Sequence, residues 1–84
     1  MATITSPQSL GTVLRASRKR LGLTQAELAL AAGVGLRFIV ELEAGKPTVR
    51  LELVLRVVDA LGGHLTLTDL DAETAQADGS HHGA

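Results

Sequence analysis

An all-α bundle of about four to five short helices, followed by one C-terminal β-strand, is the fold this sequence predicts, and three observations predict it. Four stretches open on helix-capping residues or recur with a helical apolar period, and each runs into a glycine: Gly22, Gly33, Gly45 and Gly62. Two of those stretches are short and flank the Gly33-Val34-Gly35 turn, the pattern of a helix-turn-helix. After Gly62-Gly63 the run His64-Leu-Thr-Leu-Thr-Asp69 alternates apolar and polar residues, the period of a half-buried strand.

Ser6-Pro7 starts the first helix with a cap followed by a proline whose missing amide costs nothing at that position. That helix runs to about Arg20, with Leu10, Val13, Leu14, Ser17 and Leu21 on one face and Arg15 and Lys19 pointing elsewhere. Thr24 and Glu27 form a Thr-x-x-Glu capping box, so the second helix begins at Gln25; Gly33, able to turn left-handed without steric cost, ends it at Ala32. The third helix extends from Leu36 to about Ala44 and stops at Gly45. Lys46-Pro47-Thr48 is a loop, and the last helix occupies about Val49 to Leu61.

That last helix carries two apolar stripes. Leu51, Val54, Leu55, Val58 and Leu61 make one; Leu53, Val57 and Ala60 make the other. A helix apolar over most of its circumference needs cover on two sides, so one stripe is expected on the bundle and the other on a second subunit. The lone strand also lacks a partner, and unpaired amides are costly. Leu65 and Leu67 are therefore expected, with Leu53 and Val57, in a homodimer interface where the strand pairs with its symmetry mate. Domain swapping, or docking onto another protein's sheet, is the rival arrangement. Residues 6–70 form the domain, and 71–84, rich in Ala, Gly, Ser, Thr and acid without periodicity, read as a flexible acidic tail.

Composition narrows the function. An 84-residue chain holds one domain and buries only about 60% of its unfolded surface, which favours association. Without cysteine there is neither a disulfide framework nor a thiolate metal site, and with no membrane-length apolar run and no basic start at Met1–Gln8 the chain is expected in the cytoplasm, on the nucleoid. His64, His81 and His82 are the only histidines, and no carboxylate pair, Ser/His set or phosphate loop accompanies them. Neither catalysis, a metal nor a cofactor is expected. The formal net charge is −1, but residues 1–50 hold seven basic against three acidic residues and residues 51–84 one against six. Positive charge thus lies with the helix-turn-helix, where phosphate would meet it, and double-stranded DNA is the expected partner.

Within the third helix Arg37 suits the O6/N7 edge of guanine, while Leu36 and Val40 could press on thymine methyls, Val40 alternatively being partly core. Phe38, the only aromatic, suits packing better than base contact. Gln25, Gly35, Lys46 and Arg50 are the phosphate-binding candidates: Gln25 at a helix N-terminus, where free amides attract anions, and Lys46 in a loop able to lie along the backbone.

The run Arg18…Leu21-Gly-Leu-Thr-Gln-x-Glu-Leu-Ala…Gly-Val…Ile39…Leu42-Glu-Ala-Gly resembles the lambda-repressor-like helix-turn-helix proteins of the Cro/C1 and Xre type over about residues 9–62. With Ser6-Pro7, Gly45-Lys-Pro-Thr and the Leu-Thr-Leu strand, it is more narrowly similar to HipB-type antitoxins over about residues 4–70. The resemblance implies a homodimeric repressor that reads an inverted-repeat operator, autoregulates its operon and sequesters a HipA-type serine/threonine kinase toxin. It also implies that Arg18 and Glu43 form a partly buried structural ion pair and do not read DNA. A stand-alone Xre-type regulator without a toxin is the alternative, and a pure protein-interaction module a third. The departures from the family lie where DNA is read: Gly35 replaces a usually polar residue, and Leu36 and Val40 are apolar.

Overall fold

Residues 2–70 are described by a computed structural model; the expected tail, 71–84, lies outside the described residues, as do His81 and His82. Ser6 is extended, and its hydroxyl accepts the Ser9 amide at 3.0 Å while the Ser9 hydroxyl accepts the Ser6 amide at 3.0 Å. This reciprocal cap opens α1 (Pro7–Arg20), whose first turn contains the proline. Thr24 and Glu27 cap α2 (Gln25–Ala32) in the same way, at 3.0 and 2.8 Å. Gly33 then turns left-handed (φ 71°, ψ 35°), and the Val34 amide donates back to the Ala29 carbonyl at 3.0 Å. After this turn come α3 (Leu36–Glu43) and α4 (Leu51–Ala60).

Among the described residues the elements are these four helices. α2 packs on both α3 and α4, and α1 packs on α3. The core between them is Leu14, Leu28, Ala29, Ile39, Leu42, Val54, Val57 and Val58. Gly11 lets α1 ride directly on the end of α3: a Cβ there would lie 2.6 Å from the carbonyl oxygens of both Leu42 and Glu43. Both oxygens belong to the backbone and cannot swing aside.

Three expectations need correction. The buried face of α1 is Gly11, Leu14 and Arg18, and Leu21, expected on that face, is 55% exposed because the chain has already left the helix at its C-cap. Val57, expected in the dimer interface, is fully buried within its own chain, with Val54 and Val58 beside it. Leu51 and Leu55, expected on the bundle, face outward instead, and Leu53 is only half-buried. Val54 and Val58 are buried as expected, so the buried face of α4 is turned by only roughly 40° from the expected setting, less than half the angle between successive residues. The two stripes are adjacent, and the buried face straddles them: the slim β-branched Val54, Val57 and Val58 lie in the core while the bulkier Leu51 and Leu55 stay outside. The strand expected over 64–69 pairs with a symmetry mate, and it stays an expectation, because the single chain holds no ladder partner for it among the described residues. The segment runs on from Gly63 and turns at Asp69, which has a positive φ of 66°.

Between α1, α4 and the two ends of the described chain runs an apolar groove of about 940 Å3, lined by Ile4, Leu10, Val13, Leu51 and Leu61 with Leu65 and Leu67 at its border. Leu65 and Leu67 are 50% and 78% exposed. No helix of the described residues is long and apolar enough to cross a membrane.

Candidate nucleic-acid interface

α3 follows the helix-turn-helix turn and buries Ile39 and Leu42, with Phe38 partly buried against the same core. The opposite arc, Leu36, Arg37, Val40, Glu41 and Ala44, therefore points away from the bundle by helical periodicity. Leu36 is 49% and Val40 44% exposed, so Val40 is not core. Gly35 is the N-cap of α3, extended at φ −75° and ψ 153°, and provides no side-chain hydrogen bond. The first turn of α3 thus keeps backbone amides that an anion could satisfy.

The Arg37 side chain is 90% exposed, and its Nε donates to Glu41 Oε2 at 3.3 Å across one helical turn. Lys46 Nζ donates to the other oxygen of the same carboxylate at 3.2 Å. One acidic residue therefore holds two of the three cations expected to contact DNA. The hydrogen bond from Lys46, with that from Arg37 and the two positive charges behind it, sets the Glu41 pKa below the ordinary carboxylate value. Sequence reasoning missed Glu41. The signal was present as an i, i+4 spacing to Arg37, but such pairs are common on helix surfaces.

Gln25, the first residue of α2, was expected to face phosphate. Its amide Nε2 instead donates inward to Glu43 Oε1 at 3.1 Å. The second amide hydrogen and the backbone amides of Gln25 and Ala26, which the capping box does not use, remain for an anion. Glu27, closing that box, already places one carboxylate at the α2 N-terminus. Arg50 is the N-cap residue of α4, 74% exposed, with Nη2 lying 3.5 Å from Glu52 Oε1.

Beneath this surface lies a buried ion pair. Arg18 Nε donates to Glu43 Oε2 at 2.7 Å, Arg18 Nη2 to Glu43 Oε1 at 2.9 Å, and Arg18 Nη1 to the Leu23 carbonyl at 2.8 Å; the two side chains are 8% and 4% exposed. Burial pushes the Glu43 carboxyl up, but the hydrogen bonds from Arg18 and Gln25 and the nearby positive charges outweigh it and hold the pKa below its ordinary value. The Arg18 guanidinium is held above its own, chiefly by the hydrogen bonds to Glu43. The pair joins α1, the loop before α2, and α3, with Gln25 tied in from α2. Among the described residues no buried side-chain nitrogen or oxygen lacks a hydrogen-bond partner.

A family model described as helix-turn-helix matches residues 14–67. Over 59 residues the chain is 54% identical to the HTH-type transcriptional regulator y4mF of Sinorhizobium fredii, covering 70% of this chain and 78% of that one. HipB in its complex with an O4 20mer is similar in structure, with a TM-score of 0.76 and 27% identity over 84% of this chain and 100% of HipB. The HipA–HipB–O2–O3 complex contains a chain similar to the same degree, with TM-score 0.76, 27% identity and 84% and 100% coverage. The clp gene regulator ClgR of Corynebacterium glutamicum gives a TM-score of 0.64 and 39% identity, over 70% of this chain and 76% of ClgR.

Proposed function

We propose that this chain, which belongs to the helix-turn-helix family and is a DNA-binding transcriptional regulator, represses its own operon as a dimer and acts as the antitoxin of a HipA-type kinase. The observation that carries the DNA-reading part is the outward arc of α3, where an almost fully exposed Arg37 stands between the apolar Leu36 and Val40. Arg37 takes a guanine edge through its terminal nitrogens, and Leu36 and Val40 press on thymine methyls. Lys46 and Arg50, with the N-termini of α2 and α3 at Gln25 and Gly35, hold phosphates and set the register. The antitoxin part is supported by the likeness to HipB, which spans 84% of this chain, and by HipB's presence in a complex with HipA.

A dimer presents α3 twice, so the operator is an inverted repeat with half-site centres about 34–36 Å apart. Arg37→Ala should cost about 1–3 kcal/mol per half-site on that operator and flatten discrimination at one base pair, leaving binding to a shuffled duplex nearly intact. Lys46→Ala should weaken both duplexes alike. Equal losses on both duplexes for Arg37→Ala would make Arg37 a phosphate contact and pass specificity to DNA shape.

A second reading, a stand-alone Xre-type regulator, is favoured by the higher identity to ClgR, 39% against 27% for HipB. The adjacent reading frame separates the two. If it encodes a kinase whose expression arrests growth and whose product co-purifies with this chain, the antitoxin reading stands. If it does not, the chain is a regulator alone.

A further inference from the structure

We propose that Glu41 sets the sequence discrimination of the α3 surface, by cancelling the attraction of Arg37 and Lys46 for phosphate and by fixing the direction in which Arg37 approaches a base. The inference rests on the DNA-reading assignment above.

Each oxygen of the Glu41 carboxylate is taken by a different cation: Oε1 by Lys46 Nζ at 3.2 Å and Oε2 by Arg37 Nε at 3.3 Å. Because Arg37 is bound through Nε alone, its two terminal nitrogens stay free, and those two can meet guanine O6 and N7 end-on. The contact therefore steers Arg37 without occupying the edge that reads the base. A phosphate approaching from any sequence meets two cations and an anion, so its attraction is reduced; a correctly placed guanine is a neutral acceptor and suffers less from the carboxylate. The pairs are exposed and contribute little to folding. Their consequence appears on binding, when docking strips water from the cluster and strengthens the interactions within it.

The test compares the wild-type chain with Glu41→Gln, which keeps the shape and removes the charge. The probes are a duplex of about 20 bp, long enough for two half-sites one turn apart, selected by the wild-type chain from a random pool, and a shuffled duplex of the same composition. Glu41→Gln should bind the shuffled duplex about five- to tenfold more tightly near 0.1 M salt, the effect of roughly one further counterion released, and its logarithmic salt slope should steepen by about one. Affinity for the selected duplex should rise less or fall, so the ratio between the two duplexes shrinks. The melting temperature should barely move. In a Lys46→Gln background the gain on the shuffled duplex should diminish, because one of the two neutralised cations is gone.

An unchanged or larger ratio in Glu41→Gln overturns the proposal. So does loss of a preference for cytosine with shuffled-duplex binding unaltered, which would make Glu41 a direct reader of the cytosine amino group. Failure of the wild-type chain to enrich any sequence would instead overturn the DNA-reading assignment itself, and this inference with it.

Discussion

At the scale of single residues, the Arg18–Glu43 pair governs stability. Two charges held almost out of water are tolerable only while each satisfies the other, and removing one strands its partner. Arg18→Met or Glu43→Gln should therefore cost about 3–5 kcal/mol in urea unfolding, whereas replacing both with apolar residues should cost clearly less than the two single losses combined. A double-mutant cycle measures this, and additive losses would show that the pair does not act as a unit. Because the folded pKa of Glu43 lies below its ordinary value of 4.5, its stabilisation is fully present above that value and is lost as the pH falls through the lower folded pKa. Stability of the wild-type chain should fall across that acid window, and Glu43→Gln should flatten the fall. None of this was legible from spacing, since Arg18 and Glu43 are 25 positions apart with no periodicity linking them; only the family resemblance paired them. Glu41 is the converse case, readable from its spacing yet indistinguishable there from an ordinary surface pair.

At the scale of elements, the caps were the most legible part of the sequence, because Thr24, Glu27 and Gly33 act through local geometry that tertiary packing does not alter. The setting of α4 was illegible for the opposite reason: two adjacent apolar stripes leave the rotation of the helix open until α2 packs on it, and the buried face takes residues from both. α3 is unusual among the helices that flank the turn in lacking a side-chain cap, with Gly35 extended and no atom within 4 Å of where a Cβ would sit. Gly35→Ser should therefore stabilise the chain by a few tenths of a kcal/mol by accepting an α3 amide, while Gly35→Ala, with no acceptor, should destabilise it by about 0.5–1 kcal/mol. Opposite shifts in the urea midpoint are the expected result. Equal shifts would mean that the α3 N-terminus is satisfied by other means.

At the scale of the whole molecule, the groove between α1 and α4 is what the monomer leaves uncovered, and Leu51 at 65% and Leu67 at 78% exposure continue it onto the surface. Burying such apolar area at about 25 cal/mol per Å2 favours association. The chain should sediment as a dimer, and Leu65→Asp with Leu67→Asp should give a folded monomer. Val57→Ala should do the reverse, lowering the melting temperature without changing the dimer, since Val57 lies wholly in the core. A dimer that survives the double aspartate variant would remove residues 65–67 from the interface. The contact at Gly11 bears on the same molecule differently. Every other amino acid carries a Cβ, so any single substitution of glycine there meets the backbone of α3 at 2.6 Å and forces the helices to shift. A side chain at that position therefore requires α1 to move away from α3, so the seating of these two helices hangs on a residue that has none.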